Sequence, residues 1–449
     1  MSARRRRSRR ALRSEPREVT IESMSHEGRG IAHVNGKTVF VFGALLGERV
    51  LIRVQQSNRN FDQATTLEVL EASPQRIEPR CEAFQTCGGC SLQHLSGDDQ
   101  LALKQQSLLD MMEHARNDIG QLIPALRADS WGYRKKARLG VKYVPAKGRV
   151  LVGFRERSAP FIADMLRCEV LIPQVGHKLE LLSQLIGQLE ARAQIPQIEV
   201  AADDSQVQLV FRHLQPLCQQ DQKLLIDFAR EHDYLIQLQP GGPATVHNLY
   251  PEQQSLGFDP LGDGTLKIGF GALDFVQVNS GINRKMVAQA LEFLDLQPQD
   301  QVLDLFCGLG NFTLPMALKC ARVTGIEVDS VMVERARKSA VANDIHNTEY
   351  HAVDLTSPDT GYAWMQQEYD KILLDPPRSG AQEMAEFIGK FNASCIVYVS
   401  CQPSSLVRDA AIICGQGYRM THLGIMDMFP QTAHVESMAV FQRKPGGSR

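Results

Sequence analysis

Between residues 18 and 70, apolar and polar positions alternate in short runs, the period of a pleated strand with one buried face. Runs at 19–21, 31–34, 38–42, 48–54 and 64–70 are separated by turn signals at Glu27-Gly28, Asn35-Gly36 and Gly47. They predict five short strands of an OB-like β-barrel, a form that often binds nucleic acid. Residues 71–98 read as loop. Leucines and methionines at 101, 108, 109 and 112 then mark an amphipathic helix over 98–116, expected to pack on the C-terminal domain. Residues 130–265 mix strands (134–143, 149–155, 206–212) with helices near 177–192 and 216–231, so 71–265 is read as a central α+β domain. From about 266 to 449 the strands become near-continuous apolar runs alternating with helices. That pattern belongs to a parallel, doubly wound, Rossmann-like sheet, and the whole chain is read as multidomain α/β.

Composition changes this picture little, charge somewhat more. Of 449 residues, 43% are hydrophobic and 22% charged, as in ordinary globular proteins. No apolar run reaches the ~18 residues of a membrane helix. The net charge of −2 is unevenly spread: residues 1–17 hold eight arginines and one glutamate, Glu15, leaving about −9 on the rest. Such a block is a basic tail that attracts polyanions, or a solvated tail with no specific task. No apolar core follows it, which argues against a secretory signal. Ten cysteines in 449 residues are too sparse for a disulfide scaffold and point to thiolate chemistry in a reducing, cytoplasmic setting.

The chemistry is concentrated in the last third. Val302-Leu-Asp304-Leu-Phe306-Cys-Gly308-Leu-Gly310-Asn311 reads as a buried strand entering a glycine turn. Ligands of doubly wound sheets bind at the carboxyl ends of strands, and glycines there allow close backbone approach. Glu327 ends the next strand, where a carboxylate can bind both ribose hydroxyls. A dinucleotide fold wants a third glycine for the pyrophosphate, but position 313 is Thr313. The pocket therefore suits S-adenosylmethionine better than NAD, and a redox enzyme is disfavoured.

Two further motifs supply reactive groups. Asp375-Pro-Pro-Arg378 follows apolar Ile372-Leu-Leu374, and its prolines fix a stiff turn that projects Asp375. Arg378 stands where amine methyltransferases have a base-stacking aromatic, which argues against amine methylation. Cys401 follows a strand in Ser-Cys-Gln-Pro, and His434-Val-Glu436 lies near the end. Cysteine at a strand end is often core, but polar neighbours at the active edge favour a nucleophile. C5 of uracil is a poor carbon nucleophile until a thiolate adds to C6, and a base must later take the C5 proton. Cys401 and Glu436 fit those roles, while His434 orients groups or serves structure.

These motifs, together and in this order, resemble the RNA (uracil-5-)-methyltransferases over nearly the whole chain. The resemblance implies cofactor contacts from Gln277, Phe306, Asn311, Glu327, Asp354 and Asp375, with Cys401 as nucleophile and Glu436 as base. One departure is visible, Gln402 where the family usually has asparagine. Cys81-x5-Cys87-x2-Cys90, with Cys168 downstream, offers four thiolates, whose spacing alone suits zinc or an iron–sulfur cluster equally. The resemblance implies a [4Fe–4S] cluster, with zinc as the alternative. Cysteine set and barrel together match the branch that methylates one uracil of 23S rRNA, in which the barrel is a TRAM module. Trp131, Tyr133, Arg134, Lys135, Lys136 and Arg138 interleave aromatics with cations, fitting RNA contact or a solvated strand edge. The partner expected is 23S rRNA, with no membrane and no obligate protein partner. The competing reading is a catalytically inert iron–sulfur or zinc RNA-binding assembly factor.

Overall fold

Burial of every second side chain builds the N-terminal barrel. In Arg49–Ser57, for example, Val50, Ile52 and Val54 face inward. The computed structural model describes residues 15–253, 255–357 and 360–445, so the expected basic tail lies outside the described residues up to position 14. Its last arginine, Arg17, pairs with Ile52 in the barrel. Six strands, not five, run in the order Arg17–Thr20, Arg49–Ser57, Phe61–Glu71, Lys37–Phe42, Gly30–Val34, Ser23–Met24. The extra strand is short, because the backbone bends between two partners. Ile21 N–H donates to Glu48 O and Glu22 N–H to Ile31 O, at 2.9 and 2.8 Å, which closes the barrel. Three register shifts between Arg49–Ser57 and Phe61–Glu71 break the alternation that would have revealed the full length of the last strand. The interior is Val19, Ile21, Ala32, Val39, Val41, Val50, Ile52, Val54 and Ala64.

The chain divides into two compact units. One comprises Met1–Ser107, Arg155–Phe161 and Gln431–Ala433, and the other Leu108–Phe154, Ile162–Pro430 and His434–Arg449. The division passes through the helix Gly97–His114. Just beyond that helix, in the second unit, Asn117 Nδ2 donates to Val407 O at 2.8 Å.

Within the second unit, the central region has a six-stranded sheet in the order His247–Tyr250, Tyr234–Gln239, Val207–Arg212, Gln197–Ala202, Lys136–Val144, Arg149–Gly153. Three of these strands were not legible. Gln197–Ala202 and Tyr234–Gln239 are buried on both faces and so show no alternation. His247–Tyr250 is a polar edge strand. The helices Leu179–Gln188 and Gln219–His232 cover this region as expected.

The C-terminal sheet contains β1 (Gln301–Leu305), β2 (Arg322–Glu327), β3 (Thr348–Ala352), β4 (Lys371–Leu374), β5 (Cys395–Ser400), β6 (Tyr418–Met426) and β7 (Glu436–Arg443). Their order is β3-β2-β1-β4-β5-β7-β6, with Gln121–Leu122 added beside β6. β1 to β5 are parallel, whereas β7 runs antiparallel to both β5 and β6. The helices are α1 (Ser280–Leu294), α2 (Thr313–Ala317), α3 (Ser330–Ala342), α4 (Gln382–Phe387) and α5 (Pro403–Gly415). Side-chain caps start two of them: Asn279 accepts from Ile282 N–H at 3.2 Å and Asp329 from Val331 N–H at 2.8 Å. The strand order reverses between β1 and β4, and a crevice opens there at the carboxyl ends. Among the described residues, no helix is long and apolar enough to cross a membrane.

Candidate active site

The glycine turn after β1 needs left-handed backbone. Phe306, Gly308 and Gly310 all have positive φ, at 65°, 54° and 91°. For Phe306 that conformation is unfavourable, and such strain concentrates at functional sites. Glu327, at the end of β2, is locked across the turn. Its Oε2 accepts from Gly308 N–H at 3.2 Å and its Oε1 from Asp329 N–H at 3.0 Å. Asn311 and Asn283 exchange reciprocal amide hydrogen bonds at 2.8 and 2.9 Å. Asn283 was not singled out from the sequence. Its signal is a polar residue interrupting the apolar stripe of Ile282, Met286, Val287 and Ala290 on α1. It also lines a cleft with Gln277, Lys135, Asp203, Phe258 and Val276, which connects Gln277 to the Asn311 side.

Acidic groups crowd beneath this turn. Asp304 is fully buried, and its Oδ2 accepts from Thr313 Oγ1 at 2.5 Å. Burial pushes its carboxyl up to about 8, helped by the charges of Asp375 and Glu327 and opposed by the Thr313 bond. Asp375 keeps some accessible surface, yet burial of its carboxyl raises it to about 7. Asp354 differs: it is exposed, and its Oδ1 accepts from Thr356 N–H and Oγ1 at 2.9 and 2.7 Å. Those bonds hold it below the usual carboxylate value. It follows β3 at the same edge, where Val353 N–H donates to Glu327 O at 2.9 Å.

Cys401 and Glu436 meet through strand register. Ser400 on β5 pairs with Ser437 on β7, so one more residue along each antiparallel strand sets Cys401 opposite Glu436. Cys401 is half-buried, while Glu436 is 6% exposed. Burial, then the charges of Glu436 and Asp375, push the thiol up to about 12, and Arg378 acts in the opposite sense. The Gln402 side-chain Nε2 donates to Ser404 Oγ at 3.0 Å. His434 lies against Phe429, with ring centroids 5.6 Å apart.

The thiol prediction follows directly. Alkylation of Cys401 by iodoacetamide should be slow near neutral pH and rise about tenfold per pH unit, because the thiolate is what reacts. Glu436→Gln removes a negative neighbour and should speed the reaction at fixed pH. Peptide mass spectrometry measures both, and a rate that stays flat from about pH 6 to 9 would contradict the thiol assignment.

The remaining cysteines divide between the two units. Cys81, Cys87 and Cys90 share one loop. Gly88 N–H donates to Arg155 O at 2.9 Å, and the Arg157 guanidinium donates to Cys87 O and Cys90 O. Burial lifts the Cys87 thiol. Cys168 belongs to the second unit, its N–H bonded to Gly176 O at 2.8 Å. Among the described residues, no three His, Cys, Asp or Glu side chains are gathered as a metal would require, and no disulfide joins any of the ten cysteines.

A sheet in this order, with a glycine turn and a carboxylate fixed across it at the switch point, has the architecture of a methyltransferase of the doubly wound class. The tRNA (uracil-5-)-methyltransferase family matches residues 270–444, and the TRAM domain matches residues 11–67. A 23S rRNA (uracil(1939)-C(5))-methyltransferase RlmD from Alcanivorax borkumensis is 47% identical over 97% of this chain and 99% of its own. One from Xylella fastidiosa is 48% identical over 95% and 97%. The chain belongs to this family of RlmD-type uracil-C5 methyltransferases. Among solved structures, the Pyrococcus abyssi tRNA (uracil-54, C5)-methyltransferase in complex with S-adenosyl-L-homocysteine shares its fold, with a TM-score of 0.73 and 20% identity over 94% of this chain and 99% of that one.

Proposed function

We propose that this protein transfers a methyl group from S-adenosylmethionine to C5 of one uracil in 23S rRNA, of the uracil(1939) type named for its relatives. The observation that carries the reading is the register that opposes a thiol and a carboxylate at the carboxyl edge of the sheet. In this reading Cys401 Sγ bonds to uracil C6, and the C5=C6 electrons move onto the C4 carbonyl as an enolate. C5 then attacks the methyl group, so the C5–methyl bond forms as the sulfonium–methyl bond breaks. Glu436 takes the C5 proton, the C5=C6 bond reforms and the thiolate leaves.

The cofactor site fits the group proposed for it. Bound S-adenosylmethionine would supply the methyl and a sulfonium cation. Glu327 presents a carboxylate fixed by two backbone N–H groups, suited to a ribose diol. Phe306 and Asn311 border the same turn, Gln277 approaches from the Asn283 side, and Asp354 and Asp375 complete the polar rim. The TRAM barrel and the basic segment 131–138 are the surfaces we assign to RNA. With ribosomal RNA as substrate, the place of action is the cytoplasm.

We extend the proposal to the four cysteines. Cys81, Cys87 and Cys90, with Cys168, would hold a [4Fe–4S] cluster, and zinc is the competing occupant. Soft thiols suit either group, and the Arg157 charge beside the loop offsets that of the thiolates. No chemical step passes through the cluster, whose contribution would be to order this loop. Anaerobically purified protein is expected to contain iron and acid-labile sulfide, both lost in Cys81→Ser. Stoichiometric zinc in place of iron would reassign the occupant.

Mass-spectrometric mapping of 5-methyluridine in rRNA and tRNA from cells lacking the gene tests the function. Loss of a single 23S methyluridine, restored by the wild-type gene, is expected. Loss in tRNA instead would overturn the substrate, and no loss anywhere would favour an inert RNA-binding factor.

A further inference from the structure

A buried carboxylate remains that the proposed chemistry does not use. Asp409, on α5, has no exposed surface, an expensive place for a charge unless its geometry serves something. Its partners are specific. Asp409 Oδ2 accepts from Ala381 N–H at 2.7 Å and from Tyr398 O–H at 2.6 Å, while Oδ1 accepts from Arg408 Nε at 2.8 Å. Arg408 Nη2 in turn donates to Ser379 O at 2.8 Å. Two adjacent residues of the helix that follows Cys401 thus grip the loop that follows Asp375.

The gripped segment is a tight turn. Gly380 N–H donates to Pro377 O at 2.9 Å, which leaves Arg378 at its second position, with its side chain exposed. The turn has no slack on the helix side. Gly380 has φ +80°, and a Cβ there would stand 2.5 Å from Asp409 Oδ2 and 2.8 Å from Ser405 Cβ. The charged groups that bear on the Cys401 thiol are Glu436 from β7, and Asp375 and Arg378 from this loop, with Arg378 the one cation among them.

We infer that Asp409 is a positioning residue for methyl transfer: by fixing the 377–380 turn against α5 it sets where Arg378 stands in the site. The inference rests on the nucleophile assignment for its meaning in catalysis, though not for its readout. It explains why a carboxylate that accepts three hydrogen bonds is buried in a helix otherwise packed through Leu406, Ala410 and Ile413. Tyr398, on β5, ties the same carboxylate to the strand that Cys401 directly follows.

The test is the pH profile of Cys401 alkylation, read by peptide mass spectrometry on full-length Asp409→Asn, Arg378→Gln and the double variant. Each single change should move the profile upward by about one pH unit, a tenfold slowing at fixed pH. The double variant should move no further than Arg378→Gln, because both act through one cation. Methylation should lose kcat about tenfold, with KM for S-adenosylmethionine unchanged. An Asp409→Asn profile that overlays the wild type, or shifts that add in the double variant, would overturn the inference. If Asp409→Asn does not accumulate as folded protein, Gly380→Ala displaces the same turn from the loop side, and the same outcomes decide. Should Cys401→Ala retain methylation, the nucleophile assignment fails on that result alone, while the alkylation profiles still report whether Asp409 governs Arg378.

Discussion

Cys401→Ala is expected to abolish methyl transfer, lowering turnover by at least roughly four orders of magnitude, as loss of a covalent nucleophile does elsewhere. Cofactor affinity should survive, because the residues assigned to the cofactor surround β1 to β4 while Cys401 follows β5. The side chain is half-buried and small, so its truncation leaves little cavity and the fold should persist. Isothermal titration with S-adenosyl-L-homocysteine separates the two effects: normal binding with no turnover is the expected pair. Turnover within tenfold of wild type would sink the covalent mechanism.

Glu436→Gln should produce the opposite appearance, an enzyme that starts and cannot finish. The amide keeps the size of the side chain at a position only 6% exposed, yet it cannot take the C5 proton. The methylated uracil then stays bonded at C6 to Cys401, because elimination waits on that proton. A protein–RNA species stable on a denaturing gel is expected, formed with up to one equivalent of RNA and absent from Glu436→Gln/Cys401→Ala. If Glu436→Gln turns over normally and leaves no such band, the base lies elsewhere.

The C-terminal domain was legible because its signals are local. Apolar runs such as Ile396-Val-Tyr-Val399 declare buried parallel strands, and the glycine turn and Asp-Pro-Pro follow them directly in sequence. The helix that follows the turn, α2, is only five residues long. The barrel was legible as a class, though one strand was missed where the chain bends from one partner to the next. What stayed hidden is long-range. Neither the Asn283–Asn311 amide pair, 28 residues apart, nor the grip of Asp409 on Ala381, also 28 residues away, leaves a periodic trace. Gln402, visible in the sequence as a departure from the family's asparagine, donates its amide to Ser404, a partner the sequence does not announce. The opposition of Cys401 and Glu436 could be guessed from chemistry, but only the antiparallel register of β5 and β7 supplies it.

Peroxide and related oxidants attack thiolates, and the product is a sulfenic acid that can go on to irreversible forms. Burial, and then the charges of Glu436 and Asp375, push the Cys401 thiol up, which favours its protonated and less reactive form at neutral pH. If Cys401 is the nucleophile proposed above, an idle enzyme should lose little activity to an oxidant that reacts with thiolates. The burial and the neighbouring carboxylates that disfavour the thiolate would then preserve that sulfur between encounters with RNA.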